Sequence, residues 1–221
     1  MGDLDALIQA QQKALALIQT IESQGLIQPG ISEKELSESI MKLAQKDFDI
    51  DKYWHKRIVR AGVNTLCPYD DNPPNRVIEA DDIVFIDLGP ILEKWEADLG
   101  RTYVIGNNPL KIKLKNDVEK LWHETAEYFF EHPDVSSAEL YRYVVESAQN
   151  MGWEFGGEIA GHLIGQFPHE HITTEKVYNY IHPDNNQKLS HLHHWILEIH
   201  LIDRVNQIGG FYEQLLVRPN P

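Results

Sequence analysis

Single acidic residues planted inside strand-length apolar runs constrain this chain more than any other feature. Asp87 interrupts VFIDLG, Glu198 interrupts WILEIHLID and Glu213 interrupts GGFYEQLLV. A buried charge is costly unless it is paired or bound to metal. A fold that puts these runs in its core must therefore supply partners for their carboxylates. Two more residues join the set: Asp98, eleven positions after Asp87, and His162 in GHLIGQFPHE. Four carboxylates and one imidazole in apolar, strand-like contexts are what two divalent ions sharing a bridging water require.

The texture around these residues gives the fold class. Leu4, Leu7, Ile8, Leu15, Ile18 and Ile21 recur at helical spacing, and Gly25 supplies a stop. Ser32 and Glu35 form a capping box for a second helix ending near Lys46. Strands are expected over Arg57–Ala61, Ile83–Leu88 and Arg101–Ile105, the first two separated by the turn-rich CPYDDNPPN. Helices follow over Lys113–Glu131 and Ser136–Met151, the second capped by Ser136 or Ser137. Strand patterns return at Trp195–Ile202 and Phe211–Val217. Helices, strands, helices, strands predict an α+β domain with helices on one face of an antiparallel sheet. Its 221 residues, without repeats or linkers, suit one domain over residues 1–221, with residues 1–52 a helical lead-in.

Composition narrows the partners. A net charge of −14 argues against nucleic acid, which needs a basic face. No apolar run is long enough for a membrane span. MGDLDALIQAQQ has neither the basic start nor the cleavage site of a secretory signal. A single cysteine, Cys67, excludes an intramolecular disulfide and suits a reducing, cytoplasmic setting.

Asp, Glu and His are hard-to-borderline ligands suited to Mn²⁺, Co²⁺, Fe²⁺ or Zn²⁺. Taken one at a time, each acid on a strand is more often a solvated side chain than a ligand, and a lone histidine in a glycine-rich loop more often a hydrogen-bonded one. Only the constellation points to metal. Two such ions lower the pKa of a shared water enough to make a nucleophile near neutral pH.

The motifs IQPGISEKEL, AGVNTLCP, DDIVFIDLG, EADLGRTYVIG, GHLIGQFPHE and GFYEQLLV resemble, in order, those of the methionine aminopeptidases, Xaa-Pro aminopeptidases and prolidases. The resemblance covers nearly the whole chain, including the aspartate spacing and the following Arg101-Thr102 pair. It implies a pita-bread fold, a curved antiparallel sheet covered by helices. It also implies hydrolysis of an N-terminal or short-peptide amide bond through a metal-bridging hydroxide. On that resemblance Asp87 holds one ion, Asp98 and Glu213 bridge both, and His162 and Glu198 complete the other. Glu198 doubles as proton shuttle, and His169 contacts the scissile peptide and its tetrahedral intermediate. The expected substrate is a peptide, with proline-selective cleavage favoured over methionine removal and a non-catalytic binding protein as the alternative. Relatives pair as dimers, so a homodimer is a further expectation.

The chain departs from the family at four points. The histidine expected before the Asp87 strand, where the family uses it to bind substrate, is replaced by Tyr69. Leu163 stands where a glycine usually follows the ligand histidine and is expected to add bulk beside the site. Glu198 is followed by Ile199 and His200 rather than proline, and His200 should share the strand face of Glu198. The 221 residues contain no counterpart of the amino-terminal domain common in proline-specific relatives. His191, His193 and His194 are read as surface histidines, Trp95 and Trp122 as packing or pocket wall, and Cys67 as an unactivated thiol.

Overall fold

A computed structural model describes residues 2–173, 175–190 and 193–218. Helix α1 (Asp3–Ser23) and helix α2 (Glu33–Phe48) come first. Ser32 caps α2: its hydroxyl accepts from Glu35 N while the Glu35 carboxylate accepts from Ser32 N at 2.8 Å. Strands β1 (Ile58–Ala61) and β2 (Ile83–Leu88) follow, then a small hairpin, β3 (Ile91–Leu92) and β4 (Trp95–Glu96). Next come strand β5 (Leu99–Val104), helix α3 (Pro109–Glu131) and helix α4 (Ser137–Asn150). Asn108 caps α3 with Pro109 in its first turn, and Ser136 caps α4 through a second capping box with Glu139. Strands β6 (Glu154–Phe155), β7 (Gly161–Ile164), β8 (His194–Asp203) and β9 (Ile208–Leu215) complete the chain.

The main sheet runs β1-β2-β5-β9-β8-β6, with β7 also paired to β8, and each described pairing is antiparallel. Alternation of side chains divides the work of each strand. Val84, Ile86 and Leu88 pack with Leu17, Ile21, Leu36 and Ile40 of α1 and α2. Leu197, Ile199 and Leu201 pack with Leu114, Val118 and Leu121 of α3. Both helix pairs therefore cover the same face of the sheet, as the sequence pattern predicts. The other face carries Phe85, Asp87, Glu198, His200, Phe211 and Glu213 into a cavity of about 780 Å³.

The join between β5 and β9 is made largely by side chains. Gly100 pairs with Glu213 in the ladder. Beyond it, the Thr102 hydroxyl donates to Phe211 O at 2.8 Å and accepts from Phe211 N at 2.7 Å. Arg101 donates to Gly100 O at 2.7 Å and Glu213 O at 2.8 Å, and its guanidinium lies 4.0 Å over the Tyr212 ring. The Arg-Thr pair of the sequence motif is thus a structural clamp.

Several expectations need adjustment. His162 lies in strand β7, Gly161–Ile164, in keeping with its strand-like context and not with the alternative of a glycine-rich loop. The strand's four residues are too few to show a period. Leu163 was expected beside the site. The pleat turns it away from His162, and it is fully buried in the helix-side core opposite Trp195. Trp122 packs in that core and donates from Nε1 to Leu197 O at 2.7 Å. His193 is exposed and His194 partly buried, while His191 lies outside the described residues.

Candidate metal centre

Strand register alone aligns the acids. Ile58, Asp87, Gly100, Glu213 and Glu198 are successive partners across β1, β2, β5, β9 and β8. Residues directly opposite in antiparallel pairs share a face, so three carboxylates project from one row. Gly100 leaves the gap between them: a Cβ there would lie 2.4 Å from the Phe211 ring and 3.0 Å from Glu213 Cβ. Asp98 enters the same face from just before β5. His162 enters from β7, opposite Ile196.

Asp98, His162 and Glu213 converge, with Glu198 beside Glu213 in the ladder but in neither group that could share an ion. His162 Nε2 is 3.1 Å from Asp98 Oδ2 and 3.7 Å from Glu213 Oε1, while its Nδ1 donates to Leu163 O at 2.8 Å. That backbone contact fixes the ring with Nε2 aimed into the cluster, as ligand histidines are commonly held. Asp87, Asp98, His162 and Glu213 are nearly inaccessible, and Glu198 opens partly to the cavity.

A sixth residue joins them that sequence reasoning missed. His55 Nε2 lies 3.2 Å from Asp98 Oδ1 and 3.5 Å from Asp87 Oδ1, and its Nδ1 contacts Lys56 O at 2.7 Å. Tyr69, assigned from sequence to the missing histidine's place, sits half exposed at the cavity mouth, its ring 5.9 Å from that of His55. The imidazole facing the acids from the segment before β2 is His55.

The electrostatics expose an uncompensated charge. Burial pushes Asp87 up to about 7, with Asp98 and Glu198 adding to the rise against the pull of His55. Burial, followed by Asp98, Asp87 and Glu198, drives Glu213 well above the carboxylate range. Burial also raises Glu198. Asp98 goes the other way: burial works to raise it, but His55 and His162 together hold it below the usual range. For His55, burial is outweighed by Asp87 and Asp98, and its pKa rises to about 10. Two imidazoles thus face four carboxylates, and Asp87 Oδ1 is buried without a hydrogen-bond partner. An oxygen left this way costs about 1–3 kcal/mol or more. Divalent cations would satisfy it, and oxygen-rich donors with one or two imidazoles suit Mn²⁺, Co²⁺, Fe²⁺ or Zn²⁺. Two groups meet the spacing for a shared ion, His55–Asp87–Asp98 and Asp98–His162–Glu213.

His169 faces the same cavity but is held differently. Its Nδ1 lies 2.9 Å from Glu96 Oε2, and its backbone N donates to Glu96 Oε1 at 3.0 Å. Glu96 is buried in β4 and was not singled out by sequence. Since an ionised carboxylate only accepts, His169 Nδ1 carries the proton and Nε2 is left for the cavity. Trp54 touches three of these rings, at 4.3 Å from His55, 4.6 Å from His169 and 5.3 Å from His162. His200 does share the face of Glu198, but burial lowers its pKa and its Nε2 bonds Thr65 O at 2.8 Å. It belongs to neither candidate metal group among the described residues. Cys67 lines the cavity rim with its pKa raised by burial, which leaves it an unreactive thiol.

Comparison with known proteins bears on the family and the fold. Over 122 residues the chain is 28% identical to the methionine aminopeptidase of Clostridium acetobutylicum, covering 53% of this chain and 45% of that protein. Methionine aminopeptidase 1 of Bacillus subtilis is 26% identical over 152 residues, covering 65% and 59%. The fold matches the X-Pro aminopeptidase of Thermotoga maritima with a TM-score of 0.75 at 21% identity, over 97% of this chain and 57% of that one. Methionine aminopeptidase from Rickettsia prowazekii matches with a TM-score of 0.71 at 15% identity, over 96% and 92%. The chain thus spans about half the length of several of these relatives. The fold is the pita-bread fold, and the model of metallopeptidase family M24 matches residues 5–215. With nearly its whole length inside that match, this chain belongs to metallopeptidase family M24.

Proposed function

We propose that this chain is a dinuclear metal-dependent peptidase that hydrolyses an N-terminal or short-peptide amide bond. The observation that carries this reading is the row of buried acids with its orphaned oxygen, Asp87 Oδ1, at the floor of a peptide-sized cavity. Asp87, Asp98, His162, Glu198 and Glu213 would hold two divalent ions, Mn²⁺, Co²⁺, Fe²⁺ or Zn²⁺. Such a pair supplies Lewis acidity and an activated water at neutral pH.

The chain's own residues supply the rest. Glu198 has its pKa raised by burial and opens to the cavity, so its carboxylate can take a proton and return it to the leaving amine. His169 presents Nε2 to the cavity while Glu96 holds the ring at Nδ1. A hydrogen bond from that nitrogen would reach the space a scissile peptide fills. A donor there stabilises negative charge developing on the peptide oxygen. Tyr69 lies at the cavity mouth, where it can contact substrate.

Proline-selective cleavage is favoured over methionine removal, because ADLGRTYVIG and LEIHLID are closer to the proline-specific branch. Several of the similar solved structures are prolidases or X-Pro aminopeptidases. We assign the activity to one catalytic domain over residues 1–221, in a reducing, cytoplasmic setting that suits the free thiol of Cys67. Elemental analysis of the purified protein, joined to a panel of Xaa-Pro dipeptides, Xaa-Pro-Xaa tripeptides and Met-Ala-Ser with Mn²⁺ or Co²⁺, tests the reading. Two ions per chain and turnover of a proline peptide are expected. Metal-loaded protein that turns over none of them would sink it.

A further inference from the structure

The two triads that meet at Asp98 are near-copies of each other. In one, His162 places Nε2 3.1 Å from Asp98 Oδ2 and 3.7 Å from Glu213 Oε1, with Nδ1 2.8 Å from the carbonyl of Leu163. In the other, His55 places Nε2 3.2 Å from Asp98 Oδ1 and 3.5 Å from Asp87 Oδ1, with Nδ1 2.7 Å from the carbonyl of Lys56. Each histidine thus uses the carbonyl of the following residue to fix Nδ1–H. Each directs its Nε2 at a different oxygen of the shared aspartate and at one further carboxylate, so that a cation among those oxygens would meet that nitrogen. Both side chains are about 5% exposed or less.

The surroundings of His55 are built to hold it there. Trp54 N donates to Gly89 O at 2.9 Å and Trp54 Nε1 to Ala97 O at 3.2 Å, pinning the segment to both sides of the Asp87–Asp98 connection. The imidazole occupies the space that a side chain at position 89 would take: a Cβ on Gly89 would lie 2.1 Å from His55 Cδ2 and 2.2 Å from Nε2. A histidine meant for substrate would keep a nitrogen free for the cavity, as His169 does. His55 has neither nitrogen free.

Resting on the two-metal reading above, we propose that His55 is a ligand to the ion held by Asp87 and Asp98. Each ion of this chain then carries one imidazole. The ligand set that the family resemblance implies gives a histidine to one ion only.

The test uses Mn²⁺ binding to the full chain by calorimetry, together with electron spin-echo detection of ¹⁴N coupling to bound Mn²⁺. Wild-type protein is expected to bind two ions, with imidazole nitrogen coupled to each. His55→Ala should weaken one site by at least about 100-fold, since loss of a ligand exceeds the loss of an outer-shell partner, and should remove one of the two nitrogen couplings. Gly89→Ala, which displaces the same ring without deleting it, should do likewise and guards against a folding defect peculiar to His55→Ala. Two ions bound at wild-type affinity by both variants, with any activity loss confined to a raised KM, would overturn the ligand role and make His55 a substrate contact. Wild-type protein that binds no Mn²⁺ would instead overturn the two-metal reading itself.

Discussion

Chelation should convert the metal centre into a pH-dependent source of instability. Without cations, Asp87 rises from its ordinary 3.8 to about 7 in the folded chain. At about 1.4 kcal/mol for each tenfold change in proton affinity, that residue alone destabilises the metal-free fold by about 4 kcal/mol at pH 8. The sign follows from proton counting: between pH 4 and pH 7 the folded chain holds a proton that the unfolded chain has released, so stability falls as pH rises. Glu198 and Glu213, both raised, act in the same direction. His55, raised to about 10, contributes stability that is fully present below pH 6.5 and lost as pH climbs toward 10. Among the buried groups, Asp98 and His200 oppose the trend. The depressed pKa of Asp98 gives stability lost only in stronger acid. The lowered pKa of His200 makes stability rise as pH climbs toward 6.5, a smaller effect than the combined rise of the acids and His55. Urea unfolding of EDTA-treated protein at pH 5, 6, 7 and 8 should therefore show stability declining by several kcal/mol. Saturating Mn²⁺ should restore most of it at pH 8. Metal-free stability that is flat or rises across this range would refute the argument.

Three further outcomes follow from single contacts. Asp98→Asn removes the carboxylate shared by both candidate groups and should abolish binding of both ions and all turnover, read by elemental analysis and peptide assay. Gly100→Ala forces a methyl to within 2.4 Å of the Phe211 ring and should cost about 1–3 kcal/mol in thermal unfolding. It should also lower metal affinity by displacing Glu213. Glu96→Ala removes the carboxylate that holds the His169 ring at Nδ1 and its backbone N. It should reduce kcat about 100-fold, with KM little changed; an unaltered kcat would deny His169 its role.

The parts of this molecule legible from sequence are those whose pattern repeats along the chain. Ile83–Leu88 is bounded in the sequence because a six-residue apolar run between polar turns is too short for a helix, and the Ser32 capping box and a serine cap at 136 or 137 mark their helices. Strands β6 and β7, of two and four residues, carry no such period and owe their conformation to pairing with β8. The acids could be listed from sequence, but not their common row, which depends on register across four strands. His55 was invisible for a related reason. It sits in KYWHKR, a stretch without apolar rhythm, and reaches the acids because Ile58, three residues later, pairs with Asp87. Glu96 lay in a quoted motif, yet its contact with His169 spans 73 positions and nothing local betrays it.

The clamp of Arg101 and Thr102 marks a seam in the sheet. On one side lie β1, β2 and β5 with the α1–α2 core, and on the other β9, β8 and β7 with the α3–α4 core. The candidate ligands are divided by that same line: His55, Asp87 and Asp98 come from one half, while His162, Glu198 and Glu213 come from the other. A cation pair held here would tie the two halves where their ladder is a single pair, Gly100 with Glu213, beside the packing of Leu7 of α1 on Ile164, Ile196 and Leu215. Loading and loss of metal would then govern how freely the halves breathe, and amides of β5 and β9 should exchange with solvent as a unit, in step with occupancy.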